Sequence, residues 1–122
     1  SETILLVDDE KMVLDVSSRL LQKLGYDVLT AENGIKAVET YETYRGQIGC
    51  IILDMIMPVQ NGGETYDRLK QLNPGIKVLL SSGYSLDNQA KEIMRRGCSG
   101  FIQKPFTIKE LSEKVRNVLC AN

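Results

Sequence analysis

Five polar side chains stand where oily runs stop: Asp8 and Asp9 after ILLV, Asp54 after IGCIIL, Ser82 after KVLLS and Lys104 after GFIQ. Carboxylates repel one another and resist burial, so three meeting at one place need a counter-charge. A hard divalent cation such as Mg2+, which takes oxygen ligands and keeps several of its waters, would supply it. Lys104 and Ser82 would then face whatever anion joins the metal. A cation, an ammonium and a hydroxyl around one carboxylate suit a phosphoryl group. Taken singly, each residue has a plainer meaning. Asp8-Asp9-Glu10 favours a helix N-terminus, Ser82 suits a turn and Lys104 suits a solvated surface.

The chemistry therefore depends on elements that bring these positions together. Ile4 to Val7 is a continuous apolar run, as expected of a strand buried on both faces. Val13, Val16, Leu20, Leu21 and Leu24 follow at helical spacing, with Gly25 as a stop signal. Asp27 to Ala31 alternates like a short strand, and Asn33-Gly34 opens a helix carrying Ala37, Val38 and Tyr41 inward. Ile48 to Leu53 is a second apolar run. The loop MIMPVQNGG, broken by Pro58 and by Gly62-Gly63, leads to a helix with Tyr66, Leu69 and Leu72. Lys77 to Leu80 reads as a fourth strand. Ser85 can cap a fourth helix facing inward through Leu86, Ala90, Ile93 and Met94, with Arg95-Arg96 as its solvated end. Gly100 to Gln103 is a fifth strand, and Thr107 with Glu110 makes a capping box for a last helix packed through Leu111, Val115, Val118 and Leu119.

Strand and helix thus alternate five times. That order predicts an α/β fold with a five-stranded parallel sheet and helices on both faces. The flavodoxin-like order 2-1-3-4-5 suits five strands, and ligands in such sheets sit at the carboxyl ends of the strands, near the switch in strand order. All five polar residues fall at that edge.

The 122 residues are expected to form one domain, residues 1–122. Lys plus Arg total 15 and Asp plus Glu 16, so the net charge of -1 offers no footprint for nucleic acid or an anionic membrane. No apolar run is long enough to span a bilayer. Cys50, Cys98 and Cys120 are an odd set without metal-binding spacing, as expected of reduced thiols in a cytoplasmic protein. The sequence contains no histidine. That excludes a histidine-assisted nucleophile and a histidine-bearing zinc site within this chain.

From ILLVDDE through ILDMIMP and VLLSSGYS to GFIQKPF, the sequence resembles the receiver domains of response regulators in two-component signalling. The resemblance implies that Asp54 is the phosphoacceptor, taking a phosphoryl group from a phosphohistidine on a histidine kinase or histidine phosphotransfer protein. It implies Mg2+, replaceable by Mn2+, held by Asp9, by Asp8 mainly through water, by Asp54 and by the backbone carbonyl of Ile56. Ser82 would be the switch hydroxyl, Phe101 the aromatic switch residue and Lys104 the phosphate-pairing lysine, with a cis bond to Pro105. Phosphorylation would bias two conformations of a partner-binding face built from the fourth helix, fifth strand and fifth helix. Such a domain acts once on itself and is not a turnover enzyme, although it helps catalyse its own phosphorylation and dephosphorylation.

The phrases SETILLVDDE and GCSGFIQKPF look most like receivers of hybrid sensor histidine kinases, and the first residue, Ser1, is expected of an excised domain. A stand-alone response regulator is the alternative. No DNA-binding output module is expected after Asn122. An Asp-nucleophile phosphatase would want an acid two residues after Asp54, where Ile56 stands. A flavodoxin-type flavin carrier would want a hydroxyl- and Gly-rich loop where the chain has DDEK.

Ile56 and Tyr84 flank the expected phosphorylation site, and the first offers no polar side chain to place an attacking water while the second is bulky. The acyl phosphate is therefore expected to hydrolyse slowly. Replacing Ile56→Asn or Tyr84→Ala should speed decay of the phosphorylated protein; unchanged decay in both variants would remove the steric argument.

Overall fold

The computed structural model describes residues 2–57, 60–83 and 88–121. In chain order the elements are β1 (Thr3–Val7), α1 (Lys11–Lys23), β2 (Asp27–Ala31), α2 (Gly34–Tyr44), β3 (Ile48–Asp54), α3 (Gly62–Leu72), β4 (Val78–Ser82), α4 (Asn88–Arg95), β5 (Gly100–Gln103) and α5 (Ile108–Cys120). The strands form one parallel sheet ordered β2-β1-β3-β4-β5, as the alternation of elements predicts.

The continuous apolar runs follow from a sheet covered on both sides. Successive side chains point to opposite faces. Leu5, Val7, Ile51, Leu53, Val78 and Leu80 pack with Ala37, Val38 and Tyr41 of α2, Tyr66 and Leu69 of α3, and Ala90 and Ile93 of α4. Ile4, Leu6, Cys50, Ile52 and Leu79 pack on the other side with Leu21 of α1 and Leu111, Val115 and Val118 of α5. The inner strands β1, β3 and β4 therefore carry runs of apolar residues that face both sides.

Local signals set several helix ends. The Asn33 side chain accepts from the Lys36 N–H, and Asn61 caps α3 through the Glu64 N–H. Thr107 and Glu110 make both bonds of the capping box. The opposite helix ends are capped by cations from elsewhere in the chain. Lys70 Nζ donates to Arg96 O at 2.8 Å, just past α4, and Lys77 Nζ donates to Leu119 O at 2.7 Å in α5. Arg45 caps Leu72 O at the end of α3. Each cation meets carbonyls that carry the negative end of a helix dipole.

The structure corrects four details. β4 runs on through Ser81 and Ser82, which are buried as strand residues. Gly62 and Gly63 are the first two residues of α3 and not loop breakers. Arg96 is no solvated helix end: both Asp67 carboxylate oxygens accept from its guanidinium at 2.6 Å. Finally, α1 is rotated relative to the expected face. Ser17 and Leu21 are its buried positions, whereas Val16 is 51% exposed and Met12 78% exposed. The apolar residues of this helix cover more than one face, so spacing alone points equally well to either. Ser85 and Leu86, read as the start of the fourth helix, lie outside the described residues, as do Pro58 and Tyr84.

The rotation of α1 has a measurable consequence. Leu21→Ala should cost about 2–5 kcal/mol in urea unfolding, while Val16→Ser should change stability by no more than about 0.5 kcal/mol.

Candidate functional site

The chain leaves β1 at Val7 and β3 at Asp54, and these neighbouring strands are aligned so that Val7 stands beside Leu53. One further step along each strand gives Asp8 and Asp54. β1 also marks the point where strand order reverses, with β2 on one side and β3 on the other. The Met55 N–H donates to Ser81 O at 2.9 Å, and the Lys104 N–H donates to Ser82 O at 2.7 Å. These backbone bonds carry the ladder past the strand ends and hold Asp54, Ser82 and Lys104 along one edge.

Asp8 is buried and both its oxygens are engaged. Oδ1 accepts from the Glu10 N–H at 2.9 Å, and Oδ2 accepts from Lys104 Nζ at 2.9 Å. Glu10 is the N-cap residue of α1 and makes no side-chain cap bond; Asp8 instead holds its backbone N–H. Lys104 Nζ also lies 3.3 Å from Asp54 Oδ1, and Asp54 is likewise buried. Asp9 is exposed at the rim. One oxygen from each of Asp8, Asp9 and Asp54 lies within 4.8 Å of the others. Three oxygen donors with net negative charge fit a hard divalent cation and not a thiophilic one.

The electrostatics show the strain of this arrangement. Burial pushes the Asp54 carboxyl up to about 6; the nearby charges of Asp8 and Asp9 push the same way, and Lys104 opposes them. Burial acts to lower Lys104, but its bond to Asp8 and the charges of Asp54 and Asp8 outweigh this, and its pKa rises. Lys104 is therefore a fixed cation at this edge. Away from the site, burial raises the thiols of Cys50 and Cys98, Cys50 to about 12, so both are inert packing groups at neutral pH.

The remaining expected residues fall in two places. Ser82 is buried and lines the same open cavity as Asp9, Asp54, Ile56 and Lys104. The Lys104-Pro105 bond is cis. Phe101 is different: it is partly buried and packs against the core cluster on the α2, α3 and α4 side. The cavity, of about 780 Å³, also contains residues that the sequence reading did not place there, among them Met12 and Phe106. With Val16, Leu20 and Ile56 they give it an apolar wall. Met12, Val16 and Leu20 repeat at helical spacing, a signal present in the sequence but interpretable as core.

A family model described as "Response regulator receiver domain" matches residues 4–116. The chain belongs to this family. It is a receiver domain of two-component signalling, and the family's function is phosphotransfer to an aspartate. Its relatives include the sensor kinase CckA of Brucella abortus, 35% identical over 98% of this chain and 13% of the kinase, and the tetrathionate response regulatory protein TtrR of Salmonella typhimurium, 35% identical over 96% of this chain and 56% of that protein. The chain thus spans only a fraction of those two. By contrast it covers 99% of the chemotaxis protein CheY of Halobacterium salinarum, at 26% identity. Among solved structures, a receiver domain from Clostridium thermocellum aligns with a TM-score of 0.93 at 28% identity, covering 98% of this chain and 94% of that one. The response regulator TrrA of Thermotoga maritima, described in complex with Mg2+ and BeF, aligns at 0.85 with 30% identity, covering 97% and 99%. Among the described residues, no helix of this receiver is long and apolar enough to cross a membrane.

The raised Asp54 carboxyl links stability to pH. An acid whose folded pKa lies above its unfolded value favours the fold below the unfolded value, near 4, and loses that contribution as pH rises through about 6. Metal-free wild type should therefore lose on the order of 1–3 kcal/mol between pH 4 and 7 from this group. Asp54→Asn should lack that loss, as urea unfolding in a chelator at the two pH values will show.

Proposed function

We propose that residues 1–122 act as one Mg2+-dependent phosphoacceptor unit in which Asp54 takes a phosphoryl group from a phosphohistidine of a histidine kinase or histidine phosphotransfer protein. The observation that carries this reading is the meeting of Asp8, Asp9 and Asp54 with Lys104 at the strand ends. Three carboxylates and one ammonium leave two negative charges, which one divalent ion would balance. Asp8, Asp9, Asp54 and the backbone carbonyl of Ile56 would hold it. Bound Mg2+, or Mn2+ in its place, supplies positive charge for the oxygens of the transferring group.

The chain's own residues supply the rest. The Asp54 carboxylate attacks phosphorus in line, and the bond to the donor imidazole breaks as the acyl phosphate forms. Lys104, poised 3.3 Å from Asp54, pairs with a phosphoryl oxygen, and Ser82 donates its hydroxyl to another. Movement of Ser82 toward the phosphoryl group would let Phe101 turn inward and bias the face of α4, β5 and α5 toward a downstream protein. The exposed side chains of Met12, Val16 and Ile56, with the half-buried Leu20 and Phe106 beside them, offer the phosphodonor protein an apolar seat next to Asp54. In this reading the domain is cytoplasmic, is not a turnover enzyme and assists its own phosphorylation and dephosphorylation. Its relationship to CckA supports origin in a hybrid kinase.

Intact-mass measurement after incubation with acetyl phosphate provides the test. Wild type should gain one phosphoryl group with Mg2+ or Mn2+ and none in a chelator. Asp54→Asn should gain none, and Lys104→Met should be slowed by about tenfold or more, as expected for loss of one charged stabiliser. A wild type that accepts no phosphoryl group from acetyl phosphate or from a phosphorylated kinase would overturn the reading.

A further inference from the structure

Gly62 and Gly63 are adjacent at the start of α3, yet their surroundings differ in kind. A β-carbon at Gly63 would meet side-chain atoms at ordinary separations, Asn61 Oδ1 at 3.4 Å and Ile93 Cδ1 at 3.6 Å. A β-carbon at Gly62 would meet backbone: Met55 Cα at 2.6 Å, Asp54 O at 2.7 Å and Met55 O at 2.9 Å. Neither residue has a positive φ, so position 62 demands space and not an unusual conformation. The Gly62 N–H donates to Met55 O at 2.8 Å. The first turn of α3 is therefore seated directly on the peptide group that leaves Asp54.

A second contact secures the same turn. Thr65 is fully buried, and its hydroxyl donates to Gln60 Oε1 at 3.1 Å and approaches Gln60 O at 3.5 Å. From the other side, Gly34 at the start of α2 leaves room for the Thr65 hydroxyl and the Gln60 side chain. The turn is thus fixed between the end of β3 and the start of α2.

We infer that Gly62 is a positioning residue for phosphoryl transfer: its missing side chain lets α3 seat on the Asp54-Met55 backbone and so sets where the Asp54 carboxylate stands relative to Asp8 and Lys104. The inference deepens the proposed function and rests on Asp54 being the phosphoacceptor and a metal ligand. An ordinary contact of 3.4 Å in place of 2.6 Å requires the end of β3 or the start of α3 to shift by about 0.8 Å. Backbone on both sides leaves no flexible side chain to absorb that shift. Misplacement of about 1 Å is enough to cost as much as 10²-fold in a reaction that depends on alignment.

The adjacent glycine provides the control, because Gly62→Ala and Gly63→Ala make the same chemical change one residue apart in the same helix. Calorimetric titration with Mg2+ and 19F NMR of beryllium fluoride uptake, both on the folded full chain, read the site without phosphotransfer; urea unfolding reads stability. Gly62→Ala should raise the Mg2+ Kd by about 10–100-fold, the range for groups that orient a metal ligand, and weaken beryllium fluoride uptake. Gly63→Ala should keep the wild-type Kd and be at least as stable, since alanine favours a helix. A folded Gly62→Ala protein with wild-type affinity for Mg2+ and beryllium fluoride overturns the inference. Should Gly62→Ala fail to fold, Thr65→Val decides: a raised Mg2+ Kd that Thr65→Ser restores supports the role of this turn, and an unchanged Kd overturns it. A wild type that binds no Mg2+ would overturn the functional reading beneath it.

Discussion

Everything at the carboxyl edge of this sheet answers to one constraint: three carboxylates share a small space, and two of them are buried. Left alone they would repel each other, and the cost shows in Asp54, whose carboxyl is pushed up to about 6 by burial and by its acidic neighbours. Lys104 is the one described cation bonded into the group, at 2.9 Å from Asp8 and 3.3 Å from Asp54. It relieves part of the repulsion and holds two strand ends to the loop after a third. Asp8 in turn is held by the backbone of α1 through the Glu10 N–H. The pocket is thus an incompletely neutralised charge cluster, and its surplus negative charge gives a divalent cation something to bind.

Such crowding persists only on a support that does not yield. The sheet supplies it, with both faces of β1, β3 and β4 sealed by two separate apolar clusters. Interiors packed to this density transmit displacement and do not absorb it. Charge polarity across the fold is consistent with this design. Acids gather at the strand ends, while Lys70, Lys77 and Arg45 meet the carbonyls of helix C-termini.

Much of this was legible in the sequence because the signals were local. Apolar runs marked the central strands, Thr107 and Glu110 marked a helix start, and each acid stood at the end of a run. What was not legible depends on geometry that no local signal carries. Val16 is apolar yet exposed, because α1 carries apolar residues on more than one face and spacing alone does not tell which face is buried. Ser81 and Ser82 are polar yet lie within a strand, because the Met55 and Lys104 N–H groups continue the ladder on their carbonyls. Arg96 looked like a solvated helix end because its partner, Asp67, is 29 residues away in sequence. Gly62 looked like loop punctuation, since nothing local tells a glycine needed for a turn from one needed for clearance.

The doubly covered sheet also bears on how the strands find their alignment. In a strand with one wet face, a slip by one residue exposes its apolar set and is rejected. In β3 such a slip would exchange Cys50 and Ile52 for Ile51 and Leu53, and both sets are buried already. Apolar alternation therefore carries little registration information here. The polar residues at the strand ends carry it instead: a slipped β3 would draw Asp54 into the apolar interior or withdraw it from Lys104. The acids crowded at the carboxyl edge thus double as alignment marks for the sheet that holds them.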